Sequence, residues 1–321
     1  MRQLTVKETA QRILGCESAY ILIHRSPDGD CIGSGYALMY AMKALGKKAR
    51  VICSDEIPER YHFMLPELMT LEEFEPELII AADIADEQLF GENLAEYKGR
   101  VDLCIDHHIS NTGYAEELCL DGRAAAACQV LYEVLLEMGV EITREMAVCL
   151  YTGIATDTGC FMYDNTGART HQIAAELMAL YPDIPYGIIN RNMFTVKSMG
   201  RMQLDRILTQ QLESYMDGQC MLVCVTKKLM EEYSIEESEL EGIAGFPLQV
   251  EGAQIGIVLK EREENVFRIS MRSADWVNVS AICQTLGGGG HMKAAGCTIE
   301  GTAEEAKRII LEAAAKGMAA Q

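Results

Sequence analysis

Basic residues are scarce in this chain: 28 Lys and Arg stand against 48 Asp and Glu, a formal charge of -20 over 321 residues. That deficit disfavours long duplex nucleic acid held on a broad basic surface, because such binding depends on neutralising many phosphates. It still permits a short anionic substrate held by a few cations, and a carboxylate-rich metal site would itself add to the excess of acid. Long apolar runs are missing too. No stretch approaches the roughly 20 residues that span a bilayer. The opening "MRQLTVKETAQRILG" reads as an amphipathic helix with interleaved charges, not as a signal h-region. Neither an internal repeat nor a low-complexity segment is found. Zinc-finger spacing is absent among the 12 cysteines, whose closest pair, Cys220 and Cys224, lies in the strand-like "CMLVC". Most cysteines sit in apolar runs, such as Cys53 in "ARVIC" and Cys149 in "EMAVCLY". They are therefore expected to be reduced core residues of a cytoplasmic protein with no membrane partner.

What is present alternates. "AYILIH" (19–24), "ARVIC" (49–53), "ELIIAAD" (77–83) and "VDLCID" (101–106) read as strands. Helical patterns fall at 31–46, 86–96, 123–138 and 143–155. Strands alternating with helices predict an α/β fold whose N-terminal domain holds a mostly parallel sheet flanked by helices. Residues 168–213 are helical and increasingly polar, and "CMLVCVT" (220–226), "AQIGIVLKE" (253–261) and "VFRISMRS" (266–273) then read as strands. The expected division is a first domain over 1–190, a connecting helix or linker over 191–214, and a smaller mixed α/β domain over 215–321. That second domain ends in a glycine run and a helix rich in Ala and Glu.

In the first half most strands end on acid or histidine. His24 follows the first strand, with Asp28 and Asp30 on the loop behind it; Asp83 ends another; Asp106, His107 and His108 end a third. Asp157 follows a helical run among small residues. Each alone has a plain explanation, since an aspartate after a strand is commonly the cap of the next helix. Taken together, they would crowd negative charge at the strand ends, where ligands of open α/β sheets bind. Like charges so close repel unless cations neutralise them. Two divalent ions would do so, and a mixed oxygen and imidazole set suits manganese better than calcium.

Three rival motifs fail. "DGDCIG" resembles a calcium loop, but its fifth and twelfth positions are Ile32 and Met39. Phosphatases that use an aspartate nucleophile share a "DGDCI"-like stretch, yet they leave His24, His107 and His108 without a role. "GSGYALMY" misses the dinucleotide fingerprint, because Leu38 stands where its third glycine should be.

"HRSPDGDCIGS", "AADIAD", "DHH" and "TGIATDTG", in this order and spacing, resemble the four motifs of the DHH phosphoesterase superfamily. "GGGGHMKAAG" is similar to the glycine-rich motif of its C-terminal DHHA1 domain. The late sequence and compact length resemble the subgroup of nanoRNases and 3'-phosphoadenosine-5'-phosphate phosphatases, relatives of the larger RecJ exonucleases. The resemblance implies one metal held by His24, Asp28 and Asp83, and another held by Asp30, Asp83, His107 and Asp157. It implies that His108 acts on the phosphate or the leaving group, and that Asp106 supports the ligand histidine. Arg268, Arg272, Ser273, Gly288, Gly289, Gly290 and His291 would bind substrate, with Lys293 beside them. His62 and His171 match no motif.

The activity so implied is manganese-dependent hydrolysis of short oligoribonucleotides to mononucleotides, or of 3'-phosphoadenosine-5'-phosphate to AMP. A phosphodiesterase for cyclic or linear dinucleotides is the alternative. A pyrophosphatase or exopolyphosphatase ranks lower, as does a nucleotide-binding protein without catalysis. Cleavage direction and the metal used stay open at this level, and so does a homodimer.

Overall fold

A computed structural model describes residues 1–66, 74–240 and 242–319. The chain divides into two compact units, Met1–Val196 and Lys197–Gln321.

The first unit is built on strands β1 (Arg2–Gln3), β2 (Ser18–Leu22), β3 (Lys48–Ile52), β4 (Leu78–Ala82), β5 (Leu103–Asp106) and β6 (Glu117–Leu120). They lie in the order β1-β6-β5-β4-β2-β3, and every pairing among the described residues is parallel. β4 reads "LIIAA" and is buried throughout, the pattern of a parallel strand covered on both faces. Helices α1 (Val6–Leu14), α2 (Gly29–Ala44), α3 (Ala127–Glu137), α4 (Arg144–Asp157), α5 (Ala168–Leu180) and α6 (Tyr186–Phe194) complete the unit. The direction of winding reverses at β2, which has β3 on one side and β4 on the other. Loops leaving β2 and β4 therefore diverge and open a crevice at the carboxyl ends of the strands.

Glycine lets the helices above that crevice close up. A Cβ at Gly33 of α2 would lie 2.5 Å from the Cys149 carbonyl of α4, and one at Gly153 of α4 would lie 2.3 Å from Cys128 Sγ of α3. α2 is accordingly buried on nearly all sides.

The expected elements are borne out with local differences. The opening helix starts at Val6, because Thr5 and Glu8 form a reciprocal capping box (Glu8 N to Thr5 Oγ1 3.2 Å, Thr5 N to Glu8 Oε2 2.8 Å). β1 before it, and β6 at "ELCL", are too short to stand out as patterns. The helix expected over 86–96 is replaced by two 3-10 turns, Glu87–Leu89 and Ala95–Tyr97. Gly91 between them is left-handed (φ +76°), and Asn93 spends its backbone N–H and side-chain amide on Ser54.

In the second unit α7 (Met199–Gln210) precedes β7 (Glu213–Tyr215), β8 (Cys220–Val225), α8 (Lys227–Tyr233), β9 (Ile255–Glu263) and β10 (Val266–Ser273). Then come α9 (Val279–Gln284), β11 (Gly289–His291), β12 (Ala294–Glu300) and α10 (Ala303–Ala319). The sheet order is β11-β12-β10-β9-β8-β7, mixed because β8 and β9 run parallel while their neighbours alternate. One face, with Leu222, Ile257, Phe267, Ile269 and Cys297, packs on α9 and α10. The opposite face, at Val223, Val225 and Val258, is covered by Leu204, Ile207 and Leu208 of α7. The helix expected as a connection is thus part of the second unit's core.

All 12 cysteines are free, and most are buried. Among the described residues no helix is long and apolar enough to cross a membrane.

Gly33→Ala is expected to destabilise the protein by about 1–3 kcal/mol, since the added methyl meets backbone that cannot move aside. Urea unfolding checks this; an unchanged midpoint would contradict the close helix packing.

Candidate metal centre

Three strands deliver their side chains to the crevice. After β2, the Nδ1 of His24 lies 2.8 Å from the Arg25 carbonyl. A carbonyl only accepts, so Nδ1 carries the ring proton and Nε2 presents its lone pair. That nitrogen faces Asp28 Oδ1 at 3.7 Å and Asp83 Oδ2 at 3.8 Å. Asp28 caps α2, its Oδ1 accepting from the backbone N–H of Asp30 (3.0 Å) and Cys31 (3.1 Å).

Asp30, in the first turn of α2, points inward and is 1% exposed. Its Oδ2 accepts from Ala127 N (2.6 Å) and its Oδ1 from Cys128 N (2.9 Å). These amides open α3, whose own cap residue Ala126 has no side chain to offer. Asp30 thus caps a helix nearly a hundred residues away, where the helix dipole favours its charge. Gly153 keeps the space beside it clear: a Cβ there would lie 3.0 Å from Asp30 Oδ1.

Asp83 ends β4 in the left-handed conformation (φ +59°), unusual outside glycine, and is 2% exposed. His107 is held as His24 is: its Nδ1 is 3.2 Å from the Ala124 carbonyl, leaving Nε2 as the lone pair. That Nε2 lies 3.6 Å from Asp83 Oδ1, 3.6 Å from Asp157 Oδ2 and 3.8 Å from Asp30 Oδ2. Asp157 is the last residue of α4, and Asn165 ties its carbonyl (3.1 Å) and that of Ala125 (3.0 Å) together.

The electrostatics are lopsided. Burial, then Asp30, Asp28, Asp106 and Asp157, push the Asp83 carboxyl well above its ordinary range. Burial and the Asp30 and Asp28 charges lift Asp157 to about 8. Asp30 is raised as well, mainly by burial. Asp83 Oδ1 and His107 Nε2 are both buried and have no hydrogen-bond partner among the described residues. Buried acceptors left facing one another cost several kcal/mol unless a donor or cation joins them. Divalent cations fit this donor set. Ligand atoms of three groups gather within 4.8 Å: His24, Asp28 and Cys31; Asp83, His107 and His108; Asp30, His107 and Asp157. All six residues expected as ligands are therefore brought together. Cys31 is an addition that no spacing announces, since a cysteine in an apolar helix reads as core.

Asp106 differs from the other acids. It is fully buried, yet every bond it needs is made within its own loop. Its Oδ1 accepts from His107 N (2.8 Å), His108 N (3.2 Å) and the His108 ring Nδ1 (2.8 Å), and its Oδ2 from Asn111 Nδ2 (2.6 Å). Burial pushes its carboxyl up, but these donors outweigh burial and hold it below the usual range. The ring Asp106 steadies is that of His108; the His107 ring is held by Ala124 instead. Asn111, absent from the expectations, completes this support. Bonding to Asp106 raises the pKa of His108 against burial, so the ring is disposed to carry a proton.

The remaining expected residues lie in the second unit. Register aligns His291, Ala294 and Arg272 in one row across β11, β12 and β10, and Gly289, Gly296 and Ser270 in the next. Arg268 follows on the same side of β10. These side chains share one face, whose floor of Gly, Ala and Ser leaves room beside the arginines. Ser273 is adjacent to Arg272, and strand alternation turns it to the buried side. Gly288 is required by packing, because a Cβ there would lie 2.2 Å from the Gly296 carbonyl, and Gly290 has φ +143° and would place a Cβ 2.5 Å from the Ala294 carbonyl. The run of glycines therefore leads into an edge strand pressed against β12 at Gly288 and Gly290, while Gly287 and Gly289 adjoin open space.

Adding manganese to chelator-stripped protein at about a hundred times its dissociation constant is expected to raise the melting temperature by roughly 5–10 °C. Asp83→Asn should remove most of that rise. A thermal-shift titration decides it; an unresponsive wild type would rule out a preformed metal centre.

The profile of the DHH family, N-terminal domain, matches residues 18–154, and that of the DHHA1 domain matches residues 218–319. The bifunctional oligoribonuclease and PAP phosphatase NrnA of Thermus thermophilus is 31% identical, over 92% of this chain and 88% of that protein. The protein of the same name from Bacillus subtilis is 26% identical, over 91% and 93%. The crystal structure of an exopolyphosphatase-related protein from Bacteroides fragilis superposes with a TM-score of 0.86 over 97% of this chain and 95% of that one. At 23% identity it shows a shared fold. With two family profiles along its length and a relative 31% identical over 92% of it, the chain belongs to the DHH/DHHA1 phosphoesterases.

Proposed function

We propose that this protein is a manganese-dependent phosphohydrolase that degrades very short oligoribonucleotides to mononucleotides and dephosphorylates 3'-phosphoadenosine-5'-phosphate. One observation carries the proposal: Asp83 Oδ1 and His107 Nε2 face each other at 3.6 Å, buried and without a hydrogen bond among the described residues, amid further carboxylates. The names of the relatives from Thermus thermophilus and Bacillus subtilis support the choice of substrate.

His24, Asp28 and Asp83 would hold one cation, and Asp30, Asp83, His107 and Asp157 the other, with Asp83 shared. Bound there, the pair of cations supplies an acidified water and positive charge for the phosphoryl oxygens, and the oxygen and imidazole donors suit manganese. The chain does the rest. The Ala124 and Arg25 carbonyls fix the tautomers of His107 and His24, so both rings would present a lone pair to a bound cation. Asp106 anchors His108 by Nδ1, which leaves Nε2 of a partly exposed ring to donate to a phosphoryl or leaving oxygen. In the second unit Arg272 and Arg268, four residues apart on one face of β10, would pair with a phosphate of the substrate. Gly289 and His291 lie on the same face. A short substrate with so few phosphates needs only a few positive charges, which agrees with an acidic chain. The buried free thiols suit a reducing compartment such as the cytoplasm.

Purified protein with manganese should release mononucleotide from a diribonucleotide and phosphate from 3'-phosphoadenosine-5'-phosphate. Asp83→Ala should abolish both activities. Absence of both products from the wild type would overturn the assignment, and faster turnover of a cyclic dinucleotide or pyrophosphate would redirect it. Asp106→Ala is expected to cost roughly 10–100-fold in kcat through loss of His108 positioning. Arg272→Ala should cost roughly 10–100-fold in kcat/KM, mostly as KM. Steady-state kinetics separate the two; equal kcat losses would contradict the division of roles.

A further inference from the structure

The loop that follows Asp157 is unusually constrained. Gly159, Cys160 and Phe161 are consecutive left-handed residues (φ +55°, +59° and +65°), and two of them are not glycine. Each such residue costs about 1–2 kcal/mol, so its neighbours must hold it. The Thr158 carbonyl accepts from Met162 N (2.9 Å) and Tyr163 N (3.0 Å), while Thr158 Oγ1 accepts from Phe161 N (3.0 Å). The Phe161 ring stacks on His171 (5.2 Å, 23°) and meets Tyr151.

This turn sets out Tyr163, which is 59% exposed. A single exposed aromatic is ordinary and calls for no function. Tyr163 differs in how its ring is mounted. A Cβ on Gly159 would lie 2.4 Å from Tyr163 Cζ, 2.6 Å from Cε1 and 2.7 Å from Cε2. The outer half of the ring therefore rests on the bare backbone of Gly159, a support that any side chain at 159 would displace. Its amide is bonded to Thr158, the residue directly after Asp157, so the loop is tied to the end of α4 that carries the candidate ligand.

We infer that Tyr163 is a stacking platform for a nucleobase of the substrate, an assignment that rests on the nucleotide activity proposed above. Stacking on an aromatic ring accepts any base, because every base has a π face. Backing by Gly159 fixes the ring in advance and lowers the entropy cost of ordering it on binding. Specificity then divides by chemistry: cations and arginines take phosphates, and Tyr163 distinguishes a nucleotide from a base-free phosphate ester.

The test is calorimetric titration of the manganese-loaded protein with AMP and with ribose 5-phosphate, neither of which needs turnover to be read. Wild type should bind AMP roughly 5- to 150-fold more tightly than ribose 5-phosphate. Tyr163→Ala should lose that preference with ribose 5-phosphate affinity unchanged, whereas Tyr163→Phe and Tyr163→Trp should keep it. In kinetics on a diribonucleotide, Tyr163→Ala should raise KM by a similar factor and leave kcat within about twofold. The inference is overturned if wild type shows no preference, if Tyr163→Ala retains it, or if both ligands weaken together, which would mark a loop that only positions Asp157. A wild type that prefers AMP through Tyr163 but hydrolyses neither proposed substrate would refute the activity and uphold the platform. Hydrolysis with a preference indifferent to Tyr163 would do the reverse.

Discussion

Negative charge converging in a place with little water is the constraint around which the first unit is arranged. Asp30, Asp83 and Asp157 all have carboxyls raised by burial and by neighbouring aspartates, and His107 Nε2 faces all three at 3.6–3.8 Å. A fold would not hold these groups together for its own stability. Buried charge of one sign is destabilising, and each uncompensated acceptor adds to the cost. The arrangement is economical only when positive charge completes it, which is why the buried lone pairs point to metal more firmly than any one residue does.

Several devices make that crowding tolerable. Asp30 is held by two backbone amides at the start of α3, so its charge is partly met by a helix end and its side chain cannot swing away. The same contact locks α2 to α3, while bare glycines at 33 and 153 let α2, α3 and α4 approach one another. Asp83 is held at positive φ, a strained geometry of the kind found where function over-determines the backbone. Asp106 shows the contrast: with four donors of its own it is a quiet, ionised support, although it stands beside the most conspicuous pair of histidines in the chain.

The second unit solves a different problem. Its sheet covers both faces over β8 and β9, but toward β10, β12 and β11 one face is left with small residues between arginines. The glycines of "GGGGHMKAAG" answer to packing as much as to ligand: Gly288 and Gly290 let the edge strand lie against β12, while Gly287 and Gly289 adjoin open space. One motif thus serves two purposes, and a pattern of letters cannot separate them.

The sequence by itself determined the layout. The parallel sheet shows in strands apolar on every residue, such as "LIIAA", and the metal residues show as acids and histidines placed where strands end, because strand termini in such sheets converge on one crevice. It missed what depends on partners distant in the chain. β1 and β6 are too short to show a period, the expected helix at 86–96 yields to bonds with Ser54, and Ser273 turns to the buried face beside a half-buried arginine. The tertiary structure alone decided which histidine Asp106 steadies, that Asn111 and the Ala124 carbonyl finish the support, that Cys31 joins the candidate ligands, and that Tyr163 rests on Gly159. Periodicity is a local property of the chain and survives in the sequence, whereas a hydrogen bond or a ring against a bare backbone exists only once distant segments are packed.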